Sequence, residues 1–464
     1  MKFVDRVNEQ ERLHKALDSD KQRFIVIYGR RRLGKSTLIK RILSEHDVYY
    51  EAEKNEPAVQ MTLLVNAINA VYPYFGGARY ESWESLLMNF NRTCINNSTL
   101  VLDEFPYLVQ KTPSLPSTLQ RLIDSKSLKY NLIICGSSQR MMQKIVLDSS
   151  EPLYGRADEK INLSPIGIKC WQEETHWDSK HIIEEYSVWG GVPRYWALRE
   201  DYDSFASAME HLILDEHGLL FDEPSSLFMD EASEIAPYSS IMTALGNGNN
   251  RFSKVADTVG KKTTELSVPL NNLTEMRYIR KEVPFGEAEE KTKRTLYFID
   301  DPFMSFYFRF IAPNRSLLAL GRTERIKDTI LKQMPEHVSH IWERLCQIAV
   351  SGNNLIGTDW GLAKRWWGKV PIFTEGRKTP TSFEDIEFAV VAESIDKKSI
   401  LIGECKWNQA DYADRLLEKL KVKAEKTPFT KGKNIVYALF LKEKPLVEST
   451  ENIFLPDAII RNLP

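Results

Sequence analysis

Residues 29–36 of this 464-residue chain, Gly29-Arg30-Arg31-Arg32-Leu33-Gly34-Lys35-Ser36, follow the pattern Gly-x-x-x-x-Gly-Lys-Ser. The pattern carries a mechanism. Glycines let the backbone curl so that N–H groups face a chain of phosphates, and the helix that follows adds its partial positive charge. The lysine reaches the β and γ phosphates, and the serine hydroxyl ligates Mg²⁺. Gly29 through Ser36, with Thr37 in the same helical turn, are therefore the candidate ATP-binding set. Asp103-Glu104 supplies the complement: Asp103 suits a second, water-mediated contact to Mg²⁺, and Glu104 is placed to orient and polarise an attacking water. Such chemistry rests mostly on positioning and charge stabilisation. Ser137 or Ser138 ends another apolar run, placed to sense the γ-phosphate or simply to turn the chain. Arg156, in Leu153-Tyr154-Gly155-Arg156, is either a charge stabiliser acting in cis or across a subunit interface, or a surface arginine.

A second constellation lies near the other end. Asp385-Ile386-Glu387 opens one apolar run, and Gly403-Glu404-Cys405-Lys406-Trp407 closes the next. If both runs are strands, period-two geometry puts Asp385 and Glu387 on one face, and Glu404 and Lys406 on one face of the neighbour. In a hairpin those faces converge. Glu387 and Glu404, with Glu343 from the preceding helix, then offer carboxylate oxygens to Mg²⁺. A metal there polarises a phosphodiester and helps generate hydroxide, with Lys406 stabilising charge or orienting water. Trp360, Trp366 and Trp367 lie just upstream, and filling core space is favoured over stacking on bases.

The elements that must hold these residues can be read from patterning. Phe24–Tyr28, Leu100–Leu102 and Leu132–Cys135 are apolar runs with little alternation, which suits strands buried on both faces of a parallel sheet. Each ends at its polar candidate residues, and ligands of such sheets bind at the carboxyl ends of the strands. Residues 166–235 read as mostly helical, interrupted at Gly190-Gly191-Val192-Pro193. Residues 236–300 suggest a small helical unit, with Leu266, Leu270 and Leu273 in register, followed by strands at 277–283 and 294–299. An aromatic-rich segment (Phe303, Phe306, Tyr307, Phe308, Phe310) leads through residues 301–340 into a further α/β unit at 341–464.

Bulk properties set limits. A length of 464 residues predicts two or three domains, and 42% apolar with 27% charged residues suits a soluble globular chain. A net charge of −2 excludes a surface built throughout for nucleic acid, so any DNA contact must come from local patches. Five scattered cysteines without Cys-x-x-Cys spacing argue against a disulfide framework and a zinc site. The N-terminus lacks an apolar signal core, and no stretch is long and apolar enough to span a bilayer, so the expected location is the cytoplasm.

In combination, the motifs carry a resemblance. Phe3-Val4-Asp5-Arg6 with Glu9 and Leu13, the run Tyr28 to Ser36, Asp103-Glu104-Phe105, Cys135-Gly136-Ser137-Ser138, Pro152 to Arg156 and Trp189 to Tyr195 resemble, in order, the archaeal and bacterial P-loop ATPases related to AAA+ and STAND proteins. The resemblance implies an ASCE-type core (1–165), a helical lid (166–235), a winged helix (236–300) and a connecting helical segment (301–340). It also places the turn at Pro193 near the nucleotide. Family members act as switches or as ring motors, so DNA and further copies of the chain are candidate partners; a membrane is not. Glu404-x-Lys406 with its preceding strand resembles the PD-(D/E)xK nuclease fold, and residues 341–464 are expected to form a restriction-endonuclease-like α/β domain. Where that family usually has Glu-Ile-Asp, this chain has Asp385-Ile386-Glu387, and glutamate reaches further than aspartate. Lys261, Lys262, Arg280, Lys281, Lys291, Lys293 and Arg294 of the winged helix are interspersed with glutamates, which favours packing over direct DNA reading.

Overall fold

A computed structural model describes residues 4–231, 234–372, 379–408, 413–445 and 452–464. It divides into two compact units. Of the described residues, the first holds those up to 166 with 192–197 and those of 224–235, and the second those of 167–191, 198–223 and from 236 onward. The stretch expected as one lid, 166–235, is thus shared between them.

The first unit is built on a five-stranded sheet: β1 (Phe24–Tyr28), β2 (Val48–Glu51), β3 (Thr99–Asp103), β4 (Asn131–Gly136) and β5 (Glu159–Asn162). The order is β2-β3-β4-β1-β5, and every pairing is parallel. Strand β4 therefore stands between β1, which feeds the glycine-rich loop, and β3, which ends in Asp103. All residues of β1, β3 and β4 are buried, as expected of strands covered on both faces. Trp83, Phe90, Phe105 and Tyr130 fill the core on one side, with Phe90 and Tyr130 meeting edge-on at 4.9 Å between ring centroids. Parallel topology brings the C-terminal ends of β1, β3 and β4 to one edge, where the glycine-rich loop, Asp103-Glu104 and Ser137-Ser138 lie; Pro193 instead opens the helix Pro193–Arg199.

In the second unit, helices Ala236–Gly246, Phe252–Val259 and Thr263–Glu275 are followed by an antiparallel ribbon of β6 (Ile279–Glu282) and β7 (Leu296–Ile299). Leu266, Leu270 and Leu273 are buried as their spacing predicts. A 28-residue helix, Thr323–Val350, leads to a small ribbon of β8 (Asn354–Leu355) and β9 (Thr358–Asp359), and then to the second sheet. That sheet has the order β10 (Lys364–Ile372), β11 (Ser382–Glu393), β12 (Ser399–Lys406), β13 (Asn434–Leu441) and β14 (Asn452–Phe454). The first three strands are antiparallel neighbours, and the last two pairings are parallel. The helix Ala413–Glu425 between β12 and β13 buries Leu417 and Leu420 against Ile386, Phe388, Ile400, Ile402 and Leu439. The long helix is tied to the strands by Trp342, whose indole N–H donates to the Phe440 carbonyl at 3.1 Å, and by Gln347, which donates to the Ala389 carbonyl at 2.9 Å. All five cysteines are free, and among the described residues no helix is long and apolar enough to cross a membrane.

Candidate functional site

Glycine is required at two points of the loop between β1 and the helix Lys35–Ile42. Gly29 has φ of 154°, and a Cβ there would lie 2.6 Å from the Leu163 carbonyl oxygen. Gly34 has φ of 87° and caps the helix. The Lys35 ammonium is buried and folds back over the loop, donating to the carbonyls of Gly29 (2.8 Å) and Arg30 (2.9 Å). The loop is braced by Arg6, a buried guanidinium that donates to the carbonyls of Leu33 (3.2 Å) and Ser164 (2.7 Å).

Ser36 Oγ donates to Asp103 Oδ2 at 2.7 Å, across 67 residues of sequence. The Tyr49 hydroxyl, from β2, donates to the same oxygen. Burial, followed by that bond to Asp103, pushes the Tyr49 phenol well above its ordinary range, so it stays protonated as a donor. Glu104 adopts φ of 51°, which is uncommon for a side-chain-bearing residue, exactly where β3 breaks into the helix Phe105–Lys111. Its carboxylate accepts from the Ser137 backbone N–H at 3.1 Å and from the Ser137 hydroxyl. Ser138 instead caps the helix Gln139–Leu147 and donates to Glu231 at 3.0 Å. Glu231 accepts from the Gln139 and Arg140 backbone N–H groups as well, and its neighbour Asp230 pairs with Arg31 of the loop at 2.9 Å.

Part of this set lines a cavity of about 690 Å³, within the range of ligand pockets. Arg31 through Thr37, Glu104, Ser137 and Pro193 all contribute to its wall. Arg6, Arg41 and Arg194 line it too, and sequence reasoning assigned none of the three a role. The paired Ser36 hydroxyl and Asp103 carboxylate are hard oxygen donors of the kind Mg²⁺ takes, so this donor set fits the metal.

Arg156 is the exception among the upstream candidates. Its guanidinium makes a two-pronged pair with Asp124 (2.9 and 2.8 Å) and donates to the Pro152 carbonyl. It lines a separate hollow with Arg23, Phe24 and Leu132, at the N-terminal ends of β1 and β4. That is the edge of the sheet opposite the phosphate loop, so the expectation of a role in cis is corrected: parallel strands carry the chain from Arg156 into β5 at the wrong end.

The C-terminal carboxylates gather differently from expectation. The β11–β12 pairing runs only through Val390–Glu393 and Ile400–Gly403. Ile386, Phe388 and Ile402 all enter the core beneath the helix Ala413–Glu425. Period two then puts Glu404 and Lys406 on that side of the sheet and Glu387 on the other, with an irregularity of register in between. Direct partners are cations. Arg365 pairs with Glu387 and approaches Glu343 at 3.7 Å, while Lys406 pairs with Glu404 at 2.7 Å. Burial raises Glu343 to about 7, with Glu387, Glu282 and Glu404 adding to the rise and Arg365 opposing it. Among the described residues, no three His, Cys, Asp or Glu side chains come together closely enough to hold a metal ion. The expected ligand set Glu343, Glu387 and Glu404 therefore does not fit Mg²⁺ here. Trp360 and Trp366 are core residues, and Trp367 is half-buried.

Sheet order and loop define a P-loop nucleotide-binding fold, with Ser36 and Asp103 paired at its edge. Residues 3–196 match the family model of an ATPase domain predominantly from Archaea, and residues 307–421 match that of archaeal and bacterial proteins of unknown function. The chain is 29% identical over 427 residues to an uncharacterized protein of Methanocaldococcus jannaschii, covering 90% of each. A solved Walker-type ATPase of Pyrococcus abyssi is similar in fold, with a TM-score of 0.50, 20% identity and coverage of 66% of this chain and 96% of that one.

Proposed function

We propose that this protein is a Mg²⁺-dependent ATP hydrolase whose nucleotide state is coupled to a DNA-acting, nuclease-like C-terminal domain. The observation that carries the first half is the hydrogen bond from Ser36 to Asp103 beside Glu104, at the mouth of a loop closed by Lys35. Lys35 leaves its loop carbonyls for the β and γ phosphates. Ser36 directly and Asp103 through water would hold Mg²⁺, which would supply charge neutralisation of those phosphates. Glu104 exchanges Ser137 for the attacking water and orients it in line, and Ser137, released, faces the γ-phosphate. Pro193 and Arg194 close the cavity and carry its state to the segment that follows.

For the C-terminal domain, one observation favours the regulatory reading, in which a STAND-type ATPase uses an inert nuclease-like domain for binding. Arg365 and Lys406 already neutralise Glu387 and Glu404, as a metal would. The test is incubation of the purified protein with linear and supercoiled DNA in Mg²⁺ or Mn²⁺, with and without ATP, beside a Glu404→Ala/Lys406→Ala variant. No cleavage, with ATP turnover intact, is expected. Cleavage that disappears in the variant would overturn the inert reading and make the domain a nuclease.

A further inference from the structure

A cleft of about 950 Å³ lies between the β6–β7 ribbon and the β10–β11 strands of the second unit. Six cationic side chains line it (Arg251, Lys281, Lys293, Arg294, Arg365 and Lys369) against three carboxylates, Glu289, Asp385 and Glu387. This excess sits in a chain whose net charge is −2, so it is a local feature and not an overflow of general basicity. Three of the cations have an acidic partner: Lys281 with Glu289 at 2.9 Å, Arg294 with Glu287, and Arg365 with Glu387. Arg251, Lys293 and Lys369 are exposed at the cleft, and Lys369 lies across from Asp385 in the β10–β11 register.

The floor between these charges is aromatic. Trp367 lies across from Glu387 on the strand face that also carries Lys369, and its half-buried indole lines the cleft. Its neighbour Gly368 lets the Arg294 guanidinium and the Trp366 ring approach the strand closely: a Cβ there would stand 2.9 Å from the first and 3.0 Å from the second. Ser253 and Thr263, in the first turns of two helices, add hydroxyl and N–H donors to the opposite wall. A groove with cations spaced along it and an accessible aromatic platform is the arrangement that binds a single strand, with phosphates on the charges and a base on the ring.

We infer that this cleft binds a short stretch of single-stranded DNA, with Arg251, Lys293 and Lys369 on phosphates and Trp367 stacked on a base. The inference rests on the reading that the C-terminal domain acts on DNA. The test is fluorescence anisotropy of a labelled oligothymidylate with the full chain across a salt series. Lys293→Gln and Lys369→Gln should each reduce the slope of log affinity against log salt by about 0.7. Trp367→Ala should weaken binding roughly tenfold without changing that slope, and Trp367→Phe should restore most of the loss. ATP turnover of each variant, unchanged, shows that it has folded. Equal affinity and slope for all the variants and the native chain would place the strand elsewhere and overturn the cleft while leaving DNA action standing. Tighter binding of a duplex, or displacement by polyglutamate as readily as by unlabelled strand, would also overturn it. A native chain that binds no DNA at all would remove the DNA reading itself.

Discussion

Asp103 Oδ2 is shared by Ser36 and Tyr49, and that sharing bears on the proposed Mg²⁺ site. A tyrosine that donates to a carboxylate fixes the direction of its remaining lone pairs, and loss of such an outer partner typically costs about 10–100-fold in metal affinity. Tyr49→Phe should therefore raise the Mg²⁺ concentration needed for half-maximal ATP turnover by roughly tenfold, with ATP affinity little changed. A Mg²⁺ titration of turnover reads this directly, and an unshifted midpoint would remove Tyr49 from the site. Arg156 gives the opposite expectation. Its partners are Asp124 and the Pro152 carbonyl, at the far edge of the sheet. Steady-state turnover of Arg156→Ala should match the native chain, and a large loss would mean that the residue acts on a neighbouring copy. The residues of the candidate site were legible because they follow a local pattern: Gly29 to Ser36 are contiguous, and Asp103-Glu104 ends an apolar run. Tyr49 was not, because Val48-Tyr49-Tyr50-Glu51 has neither a long apolar run nor a motif. Only the pairing of β2 beside β3 brings its hydroxyl to Asp103.

Among the elements, the strands buried on both faces announced themselves, since unbroken apolar runs have few other uses. The faces of the C-terminal strands did not. Alternation along β11 and β12 was readable, but which side each run turns to the helix Ala413–Glu425 depends on a register irregularity that leaves no mark in composition. Arg365 was likewise hidden in a strand of mixed basic and aromatic residues, and Glu231 lies 93 residues from the Ser138 hydroxyl it accepts from. The long helix Thr323–Val350 carries a prediction of its own. His337 is buried between Phe306 and Phe310, hydrogen-bonded to the Ser187 carbonyl at 2.9 Å, and burial pushes its pKa down to about 3. An unfolded histidine takes up a proton below about 6.5. Between those values the unfolded chain binds more protons, so stability is complete above the upper value and falls as the pH drops towards the lower one. At pH 5 the loss from this residue should be about 2 kcal/mol. Chemical denaturation of the native chain and of His337→Asn at pH 7 and pH 5 measures it; an equal pH dependence in both would refute the assignment.

At the scale of the whole molecule, two compact units carry two kinds of candidate site. One has a loop, a serine–aspartate pair and a glutamate at the edge of a parallel sheet. The other has a cleft in which cations outnumber carboxylates and the acids nearest the nuclease pattern are already paired. On the proposed function, the first unit is the seat of the chemistry and the second the seat of recognition. Its central claim is that Lys35 secures the nucleotide and Glu104 turns it over. Calorimetric titration of Mg-ATP into the native chain, Lys35→Ala and Glu104→Gln, with turnover measured on the same samples, tests both halves. The account predicts no measurable binding by Lys35→Ala, and near-native binding by Glu104→Gln with turnover reduced by roughly a hundredfold or more. Native-like binding by Lys35→Ala, or full turnover by Glu104→Gln, would contradict it.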